Sequence, residues 1–559
     1  MKKLTAILIL LCGISPAFPQ QIDLNNAKSN FSKESLLKIS GGLSASSVYY
    51  TGNEAYQRDP WSYFLNGNIN FNVLGLIDLP FSFNFTNSGA NRTYPTMPNR
   101  LSLHPAYKFL TGHIGDVSMS FSPYTLNGHQ FSGAGIDVNP DRPLKFSVMY
   151  GRLQKAVEFG DGGNTVQAAY KRIGGGINLR YEESGYQLSA SMFSAKDDDN
   201  SLSWKPDSLN ITPMQNVAGS VNLGVSIVKN LQFSVEYGIS LLNRDIRYPD
   251  KESGNETFHA LKTGFSYTFM NNTVGIGYER VDPGYATLGA YYFNNDLENI
   301  TVNYARPFFS NKANIALSAG LQHDDLENRN ESQTSRLVFS ADASYAPSDR
   351  LNFAGSYTTF QTHSNLRSQF DYINELTPYD NLDTLNFTQL SQNANFNTSY
   401  MFGGNDTKHQ INLLLSYQEA ADKQGDIIPE GAASLFYNAS MSYGIQLVPK
   451  NLNINLSLNA TENRMNRQDM YILGPTLGVT GRFFEQKLSS GITASYNTSY
   501  MASVRQNEVW NLRLNSAYTL RKKHVFSMTA IYRNNTAMRN AMMDRTSGLT
   551  VSTAYSYRF

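Results

Sequence analysis

Residues 549–559 read Leu-Thr-Val-Ser-Thr-Ala-Tyr-Ser-Tyr-Arg-Phe, and they close the chain. Leu549, Val551, Thr553, Tyr555, Tyr557 and Phe559 keep a two-residue spacing, with mostly small or polar residues between them. Side chains alternate between the two faces of a β-strand, so this spacing predicts one apolar and one polar face. We therefore expect the chain to end in an amphipathic strand.

The same pattern recurs from about residue 36 onward. In one hairpin, Trp510, Leu512 and Leu514 alternate with other residues before the turn 521–524, and the alternation resumes at Phe526. Short turns alternate with longer polar stretches, chiefly 242–256, 361–388, 418–431, 461–469 and 534–546. Strands of β-sandwiches and propellers also alternate apolar and polar residues. Their connections, however, are not short at one end and long at the other through successive hairpins.

This organisation predicts an all-β fold, a single transmembrane antiparallel up-and-down β-barrel of about 24–26 strands. Its short turns would be periplasmic and its long loops extracellular. The composition suits a barrel wall between lipid and water. Only alternate residues of such a wall need be apolar, and aromatic residues gather at its two interfaces. Here 41% of the residues are hydrophobic, and 34 Tyr and 32 Phe are present. The formal net charge of +1 gives no reason to expect binding to nucleic acid.

The N-terminus has the composition of a secretory signal peptide. Lys2 and Lys3 precede an apolar run that extends to Ile14, and small residues suited to cleavage follow. Cys12 is the only cysteine, so no disulfide is expected in the mature chain. A lipoprotein is the less favoured alternative, because Leu11 stands where such signals carry a small residue.

We assign three parts to the chain. Residues 1–20 are expected to be the cleaved signal peptide, 21–35 a short periplasmic segment and 36–559 the barrel. The segment 21–35 is too short for the globular plug of a TonB-dependent transporter.

Two features resemble known outer-membrane proteins. A final strand closing on Tyr555, Tyr557 and Phe559 resembles the signal that the outer-membrane assembly machinery reads. The segment 121–158, with the Tyr- and Asn-rich style of the whole chain, resembles large porin-type barrels of the Bacteroidota. The resemblance implies the outer membrane of a Gram-negative cell as the location. Lipid and lipopolysaccharide would surround the barrel, assembly machinery would bind it during biogenesis, and other outer-membrane or lipoprotein subunits are candidate partners.

Residues in the opposite phase to the apolar set predict the lining of the lumen. Their charges and amides argue against a lumen filled with apolar side chains. The candidates are Lys145, Lys171, Arg180, Glu236, Lys262, Glu279, Asn395 and Arg513. They favour a porin-like channel for passive solute passage without a TonB-type plug, narrowed by the loops 88–104 and 361–388. The alternative is a structural or accessory barrel subunit of a larger complex for secretion, assembly or glycan handling.

No catalytic or cofactor site is expected. His129 and Ser132 are close in sequence, but a hydrolase elbow needs Gly two places before the serine, where Gln130 stands. The run Asp197 to Asp199 lacks the ligand spacing of a calcium loop. We therefore predict no enzyme activity, no metal and no cofactor. Ser208 and Thr384 lie in tripeptides that resemble the O-glycosylation sequon of the Bacteroidota, with ordinary loop residues as the favoured interpretation.

Overall fold

The computed structural model describes most of the chain as one closed antiparallel β-barrel. The described residues are 37–53, 60–87, 99–158, 168–203, 211–247, 255–323, 326–327, 335–359, 364–366, 385–387, 390–421, 433–465, 468–539 and 542–559. The signal peptide with Cys12, the segment 21–35, Ser208 and Thr384 lie outside them. No helix among the described residues is long and apolar enough to cross a membrane.

The strands of the first half are β1 (Leu37–Gly52), β2 (Trp61–Val73), β3 (Ile77–Thr86), β4 (Arg100–Leu103), β5 (Ala106–Tyr107), β6 (Leu110–Ser120), β7 (Asn127–Val138), β8 (Leu144–Gln154), β9 (Lys171–Glu183), β10 (Tyr186–Asp198), β11 (Gln215–Val228), β12 (Leu231–Asn243), β13 (Glu256–Phe269) and β14 (Asn272–Val281).

The second half continues with β15 (Leu297–Phe308), β16 (Ala313–His323), β17 (Ser335–Ser348), β18 (Leu351–Thr358), β19 (Ser364–Leu366), β20 (Leu385–Phe387), β21 (Leu390–Gly403), β22 (Thr407–Ala421), β23 (Ala433–Leu447), β24 (Leu452–Met465), β25 (Gln468–Phe483), β26 (Leu488–Met501), β27 (Val504–Leu520), β28 (His524–Arg539) and β29 (Met542–Arg558).

The barrel has 26 strand positions, which confirms the predicted fold. The main sheet contains 27 strands, but β4 and β5 lie end to end between β3 and β6 and share one position. β19 and β20 form a separate two-stranded sheet. The first and last strands close the barrel, with Gly42 opposite Arg558 and Gly52 opposite Gly548. The backbone amides of Gly41 and Phe559 each donate to the other's carbonyl.

Short connections gather at one end, the turn end, where 229–230 and 521–523 are examples. The other end, the loop end, has most of the long connections. The prediction of long loops at 461–469 and 534–546 is wrong. Strands β24 and β25 extend into the first stretch and β28 and β29 into the second, so that only 466–467 and 540–541 lie between these strands. Polar residues extend these strands because a strand that passes beyond the apolar band of a membrane no longer needs apolar side chains.

Each strand presents one face to lipid and one to the lumen. On β27 the side chains of Trp510, Leu512 and Leu514 are exposed on the outer face, while Asn511 and Arg513 occupy the alternate positions. Exposed large apolar side chains are stable there because hydrocarbon, rather than water, covers the outer face of such a barrel. The polar set therefore faces inward.

Candidate functional site in the lumen

Five of the predicted lumen residues come together in one row. Strand register places Lys145 opposite Arg180 and Glu236 opposite Lys262, which in turn faces Glu279. Ser189 and Asn222 complete the row between Arg180 and Glu236. We call this set, from Lys145 on β8 to Glu279 on β14, the inner row.

Ion pairs and amide hydrogen bonds connect the inner row. Lys145 donates to Glu182, and the Arg180 guanidinium lies 3.1 Å from the same carboxylate. The Lys262 ammonium lies 3.2 Å from Glu279, and the Asn222 amide donates to Glu236 at 3.3 Å. The row therefore presents both signs of charge, with its cations beside its acids.

The remaining candidates lie elsewhere on the barrel. Asn395 and Arg513 are on β21 and β27, each alternating with the exposed apolar residues Phe396 and Leu514. Lys171 does not share the lumen face with the other candidates. Its position is on the outer face of β9, the face that carries the exposed Ile177 and Leu179. It stands at the loop end of that strand, 4.0 Å from Asp198.

Two connections at the loop end fold inward against the wall. They are 121–126, between β6 and β7, and 282–296, between β14 and β15. Leu126 and Gly289 form a parallel bridge between them, and the Tyr285 hydroxyl donates to the Tyr124 carbonyl at 2.8 Å. We call these two segments together the shelf.

An apolar cluster packs the shelf onto the lumen face. It joins Leu126 and Leu288 of the shelf to Phe131, Met149 and Phe193 of the wall, all almost fully buried. These wall residues alternate with lipid-facing side chains, so the cluster lies inside the barrel. Inward-folded connections supply apolar partners on this side of the lumen, which alternation alone does not reveal.

Two glycines, one on the wall and one in the shelf, make room for the close packing of the shelf. A Cβ atom at Gly238 on β12 would lie 2.7 Å from the Tyr124 Cβ, closer than side-chain atoms pack. Within the shelf, a Cβ at Gly289 would lie 2.5 Å from the Thr125 carbonyl oxygen. Glycine in a strand interior often marks such a close approach.

A buried amide orders the shelf backbone. The Asn216 side chain on β11 donates to Ser240 at 2.8 Å and to the Leu241 carbonyl at 3.1 Å, and accepts from the Leu288 amide at 3.1 Å. Asn216 is completely buried, so these bonds satisfy groups that water does not reach. They hold the second shelf segment in one position on the wall.

The shelf also binds the acids of the inner row. The Ser122 hydroxyl donates to Glu236 at 2.5 Å, and the Tyr124 hydroxyl donates to Glu279 at 3.1 Å. Burial and the nearby Glu279 carboxylate raise the pKa of the Tyr124 phenol, so it remains a protonated donor. Sequence reasoning missed these contacts, although Ser122 and Tyr124 lie in the segment 121–158 on which the resemblance to porin-type barrels rested.

A cavity of about 1160 Å³ opens beside the inner row. Glu236, Lys262 and Glu279 contribute to its lining, with amides such as Asn299 and the carboxylate of Asp342 on the neighbouring strands. This volume is sufficient for a small polar solute. The arrangement offers ion pairing and hydrogen bonding to such a solute rather than covalent chemistry.

The residues weighed for catalysis or metal binding do not assemble. His129 is buried on the lumen face, where its ring stacks on Tyr291 at 4.1 Å. Ser132 lies on the opposite face of β7 and donates to Asp116 at 2.6 Å. Asp197 holds Arg172 in a buried ion pair. Within the described part of the chain, no group of three His, Cys, Asp or Glu side chains is placed to hold a metal ion.

Several solved structures are similar to this chain, and their names describe transporters and a translocation pore. The FrpB iron transporter from Neisseria meningitidis has 10% identity and a TM-score of 0.38, with 95% of this chain and 84% of that chain covered. The copper transporter OprC has 10% identity and a TM-score of 0.37, covering 94% and 81%. The P pilus usher (PapC) translocation pore has 9% identity and a TM-score of 0.35, covering 93% and 99%. No family model and no curated protein matches the sequence.

The fold and location define an integral β-barrel protein of a Gram-negative outer membrane. At these identities the likeness reaches no further than a large barrel, and the Bacteroidota origin is not shown. The predicted passive, porin-like channel is contradicted. The similar barrels are named as metal transporters and a translocation pore, and the described lumen holds a packed shelf beside its polar wall.

Proposed function

We propose that this barrel transports a solute selectively, and that the shelf and the inner row form the surface that the solute contacts. The observation that carries the proposal is the pair of bonds from Ser122 to Glu236 and from Tyr124 to Glu279. An inward segment tied to charged wall residues narrows the path along this side of the lumen and places specific polar groups beside it.

The transport path would distinguish solutes by charge and hydrogen bonding. The carboxylates of Glu236 and Glu279 border the cavity, and Lys262 lies between them with its side chain 58% exposed. A solute that replaces the Lys262 bond to Glu279 must carry a donor of its own, because an unpaired charge in this partly enclosed site is costly. We infer a preference for polar solutes with cationic or hydrogen-donating groups.

The test compares the double substitution Glu236→Gln and Glu279→Gln with the matched control Asp342→Asn. Asp342 also lines the cavity, but its position is on β17, away from the shelf. In planar bilayers with a KCl gradient, we expect the double variant to lose cation preference and to conduct several times more current, since the shelf loses two charge-assisted bonds. Wide-open, unselective conductance of the unmodified protein, or equal effects of Asp342→Asn, would contradict the proposal.

A further inference from the structure

The turn end of the barrel carries an excess of positive charge from β17 to β29. This part of the end is formed by residues 349–350, 404–408, 448–451, 482–487, 521–523 and 558–559. These residues include nine Lys and Arg but only three Asp and Glu, besides the C-terminal carboxylate. Lys487 is neutralised locally, 2.8 Å from Glu485. We call the other eight cations the basic rim: Arg350, Lys408, Lys450, Arg482, Arg521, Lys522, Lys523 and Arg558.

The side chains of the basic rim have no acid to neutralise them. All eight residues are exposed, and none of them forms an ion pair within the part of the chain that the structure describes. Like charges gathered on one surface repel one another and produce a potential that attracts anions. An uncompensated rim of this kind therefore favours an anionic partner.

Two cavities open beside the basic rim. One, of about 470 Å³, is lined by Arg350 and Lys408 and by the carboxamides of Gln410, Gln446, Asn453 and Asn455. The other, of about 570 Å³, is lined by Lys522, Lys523 and Arg558 together with Ser44, Asn66 and Asn68. Among the described residues no Asp or Glu lines either cavity, whereas the cavity beside the inner row has several. Both rim cavities thus offer cations and hydrogen-bond donors to carboxylate groups.

Several cations of the rim face the lumen rather than the surrounding lipid. Lys408 and Arg482 lie in the phase opposite to the exposed apolar residues of β22 and β25, which include Leu415 and Leu477. Arg558 likewise alternates with the outward-facing tyrosines of β29. Lipid headgroups surround the barrel from outside, so they do not reach these positions. The anionic partner is therefore expected at the mouth of the lumen.

The length of the rim indicates the size of the partner. Its residues are spread over ten adjacent strands, β18 and β21 to β29. Neighbouring strands lie about 4.8 Å apart, so the rim extends over about 40 Å. A single small anion covers only a fraction of that length, whereas an extended chain with repeated carboxylates follows it.

We propose that the basic rim binds an acidic polypeptide segment of a periplasmic partner, with Asp and Glu side chains in the two rim cavities. The periplasmic side follows from the predicted orientation of the short turns. This binding does not depend on the solute path along the inner row, which lies on β8 to β14.

The test compares two variants with the same change in charge. The rim variant combines Lys408→Gln, Arg482→Gln and Arg558→Gln. The control variant combines Lys155→Gln, Lys196→Gln and Arg545→Gln, which are exposed cations at the loop end with no ion pair among the described residues. Heat-modifiable migration confirms that both variants are folded.

The experiment uses the full barrel in nanodiscs of phosphatidylcholine, which has no net charge. The probe is a fluorescent peptide of about twelve glutamates, which spans about 40 Å when extended. Fluorescence anisotropy measures its binding. We expect the rim variant to bind about tenfold more weakly, because three charge pairs are lost, and the control variant to bind as the unmodified barrel does. Absence of binding to the unmodified barrel, or equal weakening in both variants, would overturn the proposal.

A second measurement distinguishes an anionic lipid from an acidic polypeptide. Native mass spectrometry counts the phosphatidylglycerol molecules that the barrel retains in detergent. We expect the unmodified barrel and the rim variant to retain equal numbers. Loss of retained phosphatidylglycerol in the rim variant, with unchanged peptide binding, would assign the rim to lipid and overturn the proposal.

Discussion

Single residues on β27 test which face of the barrel meets lipid. Leu514 is exposed on the outer face, and Arg513 next to it points to the lumen. Leu514→Arg should lower the free energy of unfolding by about 2–4 kcal/mol near the midplane, because it places a charge in hydrocarbon. Arg513→Leu should fold nearly as well as the unmodified chain. Denaturant titration in lipid vesicles measures both, and equal losses would show that the assigned face is wrong.

A single methyl group tests the packing of the shelf. Gly238→Ala places a Cβ 2.7 Å from the Tyr124 Cβ, so we expect overpacking that costs about 1–3 kcal/mol. Gly224→Ala is the control, because a Cβ there would lie 4.0 Å from its nearest neighbour, the Gln187 Cβ. Hydrogen exchange of residues 121–126 should become faster in Gly238→Ala alone. Equal exchange in both variants would contradict the tight packing of the shelf on β12.

At the scale of elements, the last strand has two separable roles. Its backbone closes the barrel through Gly41 and Phe559, while the rings of Tyr555, Tyr557 and Phe559 are the predicted assembly signal. Phe559→Glu keeps the backbone donor and acceptor but removes the ring, so we expect slow assembly and degradation by periplasmic proteases. The control Arg558→Ser changes an exposed charge beside it. Normal amounts of heat-modifiable, folded Phe559→Glu protein would remove the assembly argument.

At the scale of the whole molecule, the two barrel ends should lie on opposite sides of the membrane. Lys450 is in a turn at the turn end, and Ser503 is at the tip of the β26–β27 hairpin at the loop end. Ser503→Cys should react with an impermeant maleimide on intact cells, whereas Lys450→Cys should react only after the outer membrane is permeabilised. The reverse labelling pattern would invert the predicted orientation.

Alternation along the chain predicts most of the strands, their two faces and a barrel near its observed size, because successive side chains of a strand point to opposite faces wherever the strand lies in the fold. Only the tertiary structure decided which inward residues lie opposite one another on neighbouring strands. Lys145 and Glu279 belong to one row because of the register of seven successive strands. It also decided that 121–126 folds into the lumen, since that position depends on Gly238 and Glu236, more than a hundred residues away in sequence. Local patterns carry no information on such distant partners, and for that reason the shelf could not be read from the sequence.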